Sequence, residues 1–374
     1  MSGIYIHIPY CLQACHYCNF HFSTNQKNKA TMIEMICQEI ALQKDYLSQK
    51  SISSIYFGGG TPSLLEINEL DKILNEINKY FFVEKSAEIT LEANPDDLVK
   101  SKLVLLKNSG INRLSIGIQT FDNNQLKYMN RAHNAIQAKK SVSKAQEVGF
   151  QNISIDLIYG IPSPDHKIWE NDLSKALDLG VQHISSYCLT IEPTTTFGKR
   201  RLKGTLLPEN EEYNAQQFEL LQDTLTTNGF EHYEVSNFCL PTYLSKHNTS
   251  YWQDQNYLGV GPGAHSYNGT SRQYNIENNL KYINELIHKK IPFTLENLDT
   301  TTKANEYIMT RLRTKWGIDS DYLLKNFGIT FESYENTVNK YKKTGLLELE
   351  NNSIKLTKKG LLFADKITED LFII

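Results

Sequence analysis

Residues Ile4–Phe22 read IYIHIPYCLQACHYCNFHF and place three cysteines on one short loop, directly after an apolar strand pattern. Cys11, Cys15 and Cys18 follow the spacing C-x3-C-x2-C. Three thiolates on such a loop can ligate three irons of a [4Fe–4S] cube, which leaves the fourth iron without a protein ligand. A small molecule can coordinate an open metal position and be activated there.

A mononuclear zinc site is the competing interpretation of these cysteines. Its remaining ligand would be one of the histidines in the same stretch: His7, His16 or His21. Paired C-x2-C knuckles are the commoner zinc spacing, so the sequence favours the iron–sulfur cluster.

The cysteine motif also carries a resemblance to a known family. A C-x3-C-x2-C motif with an aromatic residue, here Tyr17, just before its last cysteine resembles the signature of the radical S-adenosylmethionine (SAM) superfamily. In that superfamily, the amino and carboxylate groups of SAM chelate the open iron, and the reduced cluster cleaves SAM to a 5′-deoxyadenosyl radical. The resemblance implies a [4Fe–4S] cluster on Cys11, Cys15 and Cys18, with SAM as a second cofactor.

The composition is that of an ordinary globular protein. The chain has 374 residues, of which 40% are hydrophobic and 22% charged, with a formal net charge of −3. This length allows two or three domains, and the charge gives no bulk attraction to nucleic acid or to an anionic membrane. No apolar run reaches the roughly 20 residues that span a bilayer, and no secretory signal is visible. We therefore expect a cytoplasmic protein that binds no nucleic acid and touches a membrane only through a target.

The cysteines outside the motif are few and far apart. Cys37, Cys188 and Cys239 cannot form a disulfide framework in a chain of this size, and they predict ordinary buried thiols.

The N-terminal half alternates strand-like and helix-like patterns. The strand-like runs are Ile4–Ile8, Ser54–Phe57, Ala87–Leu91, Arg113–Ile118, Ile153–Ile158 and His183–Leu189. Repeated βα units predict a parallel sheet with helices on its outside, and six units are too few for a closed eight-stranded barrel. The sequence therefore predicts an α/β fold, a partial (β/α)6 barrel, which is also the core fold that the radical SAM resemblance implies.

Polar and glycine residues follow the predicted strands at one edge of this sheet. GGGTP occupies 58–62 after the second strand, Glu92 and Asn94 follow the third, Gln119 ends the fourth, and Asp156 lies in the fifth. Because function in such barrels sits at the C-terminal ends of the strands, we expect these side chains to face the cysteine loop.

The resemblance gives roles to four of these residues. Gly60 and Thr61 match the segment that contacts the methionyl amino group of SAM. Glu92 and Asp156 match acids that accept hydrogen bonds from ribose hydroxyls, as carboxylates do in dinucleotide folds. Without the resemblance, the glycine run would be a tight turn and the two acids solvated strand ends.

Four further residues match the pocket of the family. Gln119 and Arg131 correspond to positions that hold the amide environment and the carboxylate of SAM, and Tyr5 and Tyr17 to aromatic positions lining the same pocket. The alternatives are a surface arginine for Arg131 and core packing for the two tyrosines.

Two motifs stand in an aromatic, glycine-rich block after the predicted barrel. Residues 247–252 read HNTSYW (HNxxYW) and residues 261–266 read GPGAHS. His247 is either a buried, hydrogen-bonded histidine or an axial ligand to haem iron, with aromatic side chains against the porphyrin. The two motifs together resemble one branch of the coproporphyrinogen-oxidase-like radical SAM proteins, the haem chaperones. That resemblance makes His247 the first candidate haem ligand and His265 the second.

The last part of the chain predicts a smaller domain. Helical patterns at Ala304–Arg313 and Tyr334–Lys343 are followed by two short strands around 351–352 and a further helix, as in an α+β, winged-helix-like unit. No dense basic face supports DNA binding, so we expect this unit to dock on the barrel. The predicted division is a radical SAM core at 1–230, a connecting region at 231–299 and a C-terminal domain at 300–374.

Three hypotheses for the function remain. The preferred one is a haem chaperone that holds a SAM-ligated cluster and binds haem for delivery to haem-requiring proteins, with a reductant protein as a possible further partner. The alternative is an oxygen-independent coproporphyrinogen III oxidase of porphyrin biosynthesis. Those oxidases carry an additional cysteine two residues after the last cluster ligand, where this chain has Phe20, and an extension before the first strand. The third is a non-catalytic regulator stabilised by zinc.

Overall fold

The computed structural model describes residues 2–206 and 208–373, and a mixed sheet of twelve strands is its central element. The strands of this sheet are β1 (Ser2–Ile8), β2 (Ser51–Gly59), β3 (Phe82–Ala93), β4 (Arg113–Gln119), β5 (Ile153–Tyr159), β6 (His183–Cys188), β7 (Glu231–Glu234), β8 (Asn237–Cys239), β9 (Tyr257–Val260), β10 (His265–Tyr267), β11 (Ser271–Asn275) and β12 (Phe293–Asn297). Their order is β12-β11-β10-β9-β1-β2-β3-β4-β5-β6-β8-β7. Strands β1 to β6 are neighbours in chain order and all run parallel, so the predicted partial (β/α)6 barrel is confirmed.

Helices connect these strands. They are α1 (Lys29–Leu42), α2 (Ile67–Tyr80), α3 (Lys100–Asn108), α4 (Asn123–Tyr128), α5 (Ala135–Val148), α6 (Lys167–Asp178), α7 (Thr196–Leu202), α8 (Glu211–Thr227), α9 (Lys246–Trp252) and α10 (Asn279–Ile287). Helix α2 shows why they pack on the sheet: Leu70, Ile73, Leu74 and Ile77 recur at helical spacing, and all four are buried. Burial of each such side chain contributes about 1.5–3 kcal/mol, so the apolar stripe fixes this helix on the barrel.

The segment 231–299, predicted as a connection, contributes strands to both edges of the sheet. Strand β9 pairs parallel with β1, and β10, β11 and β12 continue antiparallel from it. At the other edge, β8 pairs antiparallel with β6, and β7 with β8. The division of the chain at residues 230 and 299 stays a prediction.

The C-terminal domain has its own small sheet. Its elements are α11 (Thr300–Leu312), β13 (Ile318–Asp319), α12 (Ser320–Phe327), α13 (Glu335–Lys343), β14 (Leu347–Glu350), β15 (Ser353–Leu356) and α14 (Ala364–Asp370). The strands are antiparallel in the order β13-β15-β14, and the succession helix, strand, helix, helix, strand, strand is that of a winged helix.

This domain contacts the edge of the large sheet at β7. The N–H of Lys315 donates to the carbonyl of Tyr233 at 3.0 Å, and the N–H of Val235 donates to the carbonyl of Arg313 at 3.0 Å. The predicted docking on the barrel is therefore present. Of the helices in the described residues, none has the length and apolar character needed to cross a membrane.

Candidate functional site

A cavity of about 460 Å³ opens at the C-terminal ends of the parallel strands. It brings together ten residues that were predicted for the site: Cys11, Cys15, Tyr17, Cys18, Gly60, Thr61, Glu92, Gln119, Arg131 and Asp156. The other predicted residues, Tyr5, His247 and His265, do not line this cavity.

The cysteine loop is held closed by backbone hydrogen bonds. The N–H of Cys11 donates to the carbonyl of Ser23 at 3.1 Å, and the N–H of Ser23 donates to the carbonyl of Pro9 at 2.9 Å. Within the loop, the N–H of Cys18 donates to the carbonyl of Cys15 at 3.3 Å. The three thiols therefore lie on a loop whose two ends are joined by hydrogen bonds just after β1.

The histidines that a zinc site would need are used elsewhere. The Nε2 of His7 contacts the carbonyl of His21 at 2.8 Å, and the Nδ1 of His16 contacts the carbonyl of Tyr128 at 2.9 Å. The Nε2 of His21 contacts Oδ1 of Asn279, the first residue of α10, at 2.7 Å. These hydrogen bonds anchor the cysteine loop to its neighbours, and each histidine ring has one nitrogen occupied by them.

The arrangement of the thiols suits a cluster better than a single metal ion. In residues 2–206 and 208–373, no three His, Cys, Asp or Glu side chains meet closely enough to hold one ion. In a [4Fe–4S] cube each thiolate binds a different iron, so the sulfurs need not converge on one point. Burial raises the pKa of Cys11 to about 11, although a hydrogen bond from Thr61 opposes that rise, and iron must displace this proton on binding.

The GGGTP segment packs against the end of β1. A Cβ on Gly60 would lie 2.6 Å from the carbonyl oxygen of Tyr10, and Gly59 has a φ of +107°, so neither position accepts another side chain without strain. The N–H of Gly60 donates to the carbonyl of Ile8 at 2.9 Å, and that of Thr61 to the carbonyl of Tyr10 at 2.7 Å. Because both amides are used, this segment offers a ligand oxygen acceptors, as an amino group requires.

Arg131 ties the cysteine loop to the strand ends. Its Nη1 donates to Sγ of Cys15 at 3.3 Å, and its Nη2 donates to Oδ1 of Asn94 at 2.7 Å and to the carbonyl of Gly117 at 2.8 Å. Burial alone would lower the pKa of this guanidinium, but Tyr17 and Cys15 beside it raise the pKa, and the charge is kept. The surface-arginine alternative is not what the structure shows.

The hydrogen bonds that begin at Arg131 continue through Asn94 to the first cysteine. Nδ2 of Asn94 donates to Oγ1 of Thr61 at 3.4 Å, and that hydroxyl donates to Sγ of Cys11 at 3.3 Å. Two of the three cysteine sulfurs therefore accept a hydrogen bond, that of Cys15 from Arg131 and that of Cys11 from Thr61.

Gln119 ends β4 in a left-handed backbone conformation with a φ of +68°. A Cβ on Gly117 would lie 2.9 Å from Nε2 of Gln119 and 3.3 Å from Nη2 of Arg131. Positive φ at a residue other than glycine is uncommon and concentrates at functional sites. Glycine at 117 leaves the space in which the two predicted side chains meet.

Two partly buried carboxyls face the cavity. Glu92 accepts from the hydroxyl of Tyr56 at 2.8 Å and from the N–H of Gly59 at 3.2 Å, and Ser115 donates to Asp156 at 3.2 Å. Burial is the largest effect on both: it raises the pKa of Glu92 to about 7 and that of Asp156 to about 6. These groups change charge near neutral pH, unlike solvated acids at a strand end.

His247 lies behind the cavity, in the environment of a buried histidine. Its ring nitrogens contact Oγ of Ser54 at 2.9 Å and the hydroxyl of Tyr251 at 2.9 Å, and the residue is 1% exposed. The ring stacks on Tyr56 with a centroid distance of 5.0 Å, and burial lowers the pKa of His247 to about 3. Haem ligation through Nε2 would require the bond with Tyr251 to break.

Tyr5 is part of the same packed group. Its ring stacks on Tyr56 at 6.1 Å and on His247 at 6.3 Å, and its hydroxyl contacts Nδ1 of His7 at 3.2 Å. Core packing, the competing interpretation, describes these contacts.

Several cavity residues were not predicted from the sequence. Cys188 was expected to be an ordinary buried thiol, but it is only partly buried and lines the cavity because it ends β6 on the same edge as the cluster loop. The other unpredicted lining residues include Tyr56, Ser115, Ser185, Tyr187 and Asn248. The strand-end rule that found Glu92 also applies to β6 and would have drawn attention to Tyr187 and Cys188.

Comparisons with known proteins agree with this geometry. The Radical SAM superfamily matches residues 5–173, and the HemN C-terminal domain matches residues 298–363. The structure of HemN, the coproporphyrinogen III oxidase of Escherichia coli described as a radical SAM enzyme, superimposes with a TM-score of 0.87. It covers 99% of this chain and 90% of that chain at 21% identity, which shows a shared fold.

Full-length relatives give the closer placement. "Heme chaperone HemW" of Bacillus subtilis is 32% identical over 98% of this chain and 98% of its own length. "Heme chaperone HemW" of Lactococcus lactis is 34% identical over 98% of this chain and 96% of its own length. The chain therefore belongs to the HemW family of radical SAM proteins.

Proposed function

We propose that this protein is a haem chaperone, which holds a SAM-ligated [4Fe–4S] cluster and binds haem for delivery to haem-requiring proteins. The observation that carries the proposal is the similarity over whole chains to relatives named heme chaperones, at 32% and 34% identity. The haem recipient is a protein partner, and a reductant protein supplies electrons to the cluster. Cytoplasmic location fits this role, since a cluster stays reduced there.

The cavity supplies the groups that the two cofactors need. A bound cluster would provide a one-electron reductant at an iron that SAM chelates. Cys11, Cys15 and Cys18 would hold the other irons, and Nη1 of Arg131 donates a hydrogen bond to Sγ of Cys15 at 3.3 Å.

SAM itself would meet the strand ends. Gly60 and Thr61 accept hydrogen bonds from its amino group, Gln119 and Arg131 face its carboxylate and amide surroundings, and the carboxyls of Glu92 and Asp156 accept from the ribose hydroxyls. All six of these residues line the same cavity, which supports the assignment of SAM to it.

The charge of the cavity favours the chaperone over the oxidase. Coproporphyrinogen III carries several propionates, and an enzyme acting on it needs cations to hold them. Among the described residues that line the cavity, Arg131 is the only Lys or Arg, whereas Glu92, Asp156 and Glu192 are acidic. Arg131 is also already bonded to Asn94 and Cys15. A tetrapyrrole rich in propionates is therefore poorly matched to this cavity.

Phe20 supports the same choice. It lies at the mouth of the cavity with 71% of its surface exposed, at the position where the oxidases carry their additional cysteine. An exposed phenylalanine supplies neither a ligand nor a proton donor, so that position serves packing or docking here.

The first test is an anaerobic haem titration of the cluster-reconstituted protein, followed in the Soret region. We expect saturable binding near one haem per chain. In parallel, coproporphyrinogen III is incubated with the protein, SAM and a reductant, and we expect no decarboxylation. Absence of haem binding together with decarboxylation would replace the chaperone by the oxidase.

A further inference from the structure

A second, larger cavity lies at the other end of the molecule's sheet, beside β10, β11 and α10. Its volume is about 970 Å³, at the upper end of the 300–1,000 Å³ typical of ligand sites. It is lined by His265, Tyr274, Asn275, Ile276, Glu277, Lys281, Glu285, Lys290, Ile291, Pro292, Phe293 and Thr294, and is called here the His265 groove. None of the predicted SAM or cluster residues lines it.

His265 differs from every other histidine of the chain. All ten histidines lie in the described ranges, and nine have a ring nitrogen in a hydrogen bond. His265 has none in the described structure, and its ring is exposed. A ring with both nitrogens free, at the wall of a large cavity, is the one imidazole here that is ready to bind a metal.

Packing explains the rest of the GPGAHS motif but leaves the ring of His265 without a hydrogen-bond partner. Ala264 and Ser266 are each 1% exposed, and Oγ of Ser266 accepts from the N–H of Gly259 at 2.8 Å. Gly261 has a φ of +102°, and a Cβ there would lie 2.5 Å from the carbonyl oxygen of His7. The motif therefore packs β10 against β9 and the turn before it against His7 of β1, and it leaves the ring of His265 without a hydrogen bond.

The wall beside His265 suits a flat, apolar ring system. His265 pairs with Tyr274 across β10 and β11, and their rings stack at 5.5 Å with an interplanar angle of 26°. Tyr274 is 39% exposed and Phe293 is 43% exposed, and Ile291 and Pro292 line the same groove. Exposed aromatic and aliphatic side chains around one cavity mark a site for an apolar ligand.

The groove also holds cations for carboxylates. Lys281 and Lys290 line it together with Glu277 and Glu285. Lys290 lies 3.4 Å from Glu285, but no acidic side chain of the described residues lies within ion-pair distance of Lys281. The ammonium of Lys281 is therefore available to an anionic substituent at the rim of a bound ligand.

We propose that haem binds in the His265 groove, with His265 as the axial ligand to its iron and Lys281 facing a propionate. This inference rests on the proposed haem-binding function and names the site for it. It places the haem away from the SAM cavity and assigns ligation to His265, whereas His247 keeps both ring nitrogens in the core.

The test compares three full-length, cluster-reconstituted proteins in the anaerobic haem titration. His265→Ala should weaken haem affinity at least about tenfold and remove the spectrum of imidazole-ligated iron, and free imidazole should restore that spectrum. His288→Ala is the matched control, because His288 is also exposed but lies outside the groove and bonds to the carbonyl of Asn284 at 2.8 Å. It should bind haem as the wild type does.

A second variant tests the groove without touching the ligand. Lys281→Glu should weaken haem binding several-fold, more at low salt, and leave the imidazole spectrum in place. Wild-type affinity and spectrum in His265→Ala would overturn the inference while the chaperone function stands. Absence of haem binding in the wild type would overturn both the chaperone function and the His265 site. Loss of haem binding in His247→Ala alone would identify His247 as the iron ligand and overturn the inference.

Discussion

Arg131 shows how a single side chain organises the SAM cavity. It bonds to Sγ of Cys15, to Asn94 and to the carbonyl of Gly117, and so joins the cluster loop to the ends of β3 and β4. Its fork-shaped guanidinium reaches these three partners at once, which the single ammonium of a lysine cannot do with the same geometry. The family resemblance predicted Arg131 as a site residue, and these contacts explain why an arginine is needed at that position.

The cysteines give the sharpest prediction at this scale. Cys11→Ala should abolish the [4Fe–4S] cluster, because three thiolates are the minimum that holds a cube with one open iron. Cys188→Ala is the matched control: it lines the same cavity but stands outside the C-x3-C-x2-C motif, and it should retain full iron and sulfide. Iron and sulfide analysis after reconstitution decides, and an intact cluster in Cys11→Ala would disprove the ligand assignment.

Glu92 predicts a pH dependence of SAM binding. Burial raises its pKa to about 7, so the carboxyl is largely protonated at about pH 6 and ionised at about pH 8. Only the ionised form accepts a hydrogen bond from both ribose hydroxyls on its two oxygens. SAM affinity of the reconstituted protein, measured by equilibrium binding, should rise up to about tenfold across this interval.

The control for this prediction is Glu92→Gln, which should bind SAM more weakly and flatten the remaining dependence to that of Asp156. The sign for stability is opposite. Because the folded-state pKa lies above the ordinary value of 4.5, the stabilising contribution of the protonated carboxyl is full below that value and is lost as pH rises towards about 7. A SAM affinity that falls with rising pH would contradict the role given to Glu92.

Helix α9, which carries HNxxYW, illustrates the scale of the single element. Only seven residues long, it is held at its N-terminus by Glu88 of β3, which accepts from the N–H of Lys246 at 3.1 Å and of His247 at 3.2 Å. Glu88 also lies 3.9 Å from Arg113, and both side chains are buried. A carboxylate at the positive end of a helix and beside a buried cation stabilises an element too short to persist by itself.

Glu88→Ala should therefore be strongly destabilising. It leaves the buried Arg113 without its counter-ion and the first amides of α9 without an acceptor, at a cost of about 3–5 kcal/mol of unfolding free energy. Glu147→Ala is the control, since its pair with Lys100 is exposed and worth at most about 1 kcal/mol. Denaturant unfolding of both variants measures the difference, and equal losses would mean that the buried network carries no special weight.

At the scale of the whole molecule, the parts that the sequence predicted are those set by local pattern. Strands β1 to β6 and their helices follow from alternating periodicity. The cysteine motif, the strand-end rule and the family resemblance together predicted the ten site residues that meet in one cavity. The pairing of β9 with β1 joins residues 3–6 to residues 257–260, and no local pattern encodes that contact. Contacts between residues far apart in the sequence also explain why the burial of His247 was not predicted. Its ring contacts Ser54 and Tyr56 of β2, and the pattern around residue 247 does not show those contacts.

The bond between His21 and Asn279 connects the cluster loop to the wall of the His265 groove. His21 belongs to the cluster loop, and Asn279 begins the helix that carries Lys281 into the His265 groove. A shift of that loop on cluster assembly would act on the first turn of this helix through the bond. Such a coupling would be reciprocal by thermodynamic linkage: a cluster that changes haem affinity by some factor would itself be held more or less firmly by the same factor when haem is bound. Haem loading and cluster retention would then be linked, so that each could be measured through its effect on the other.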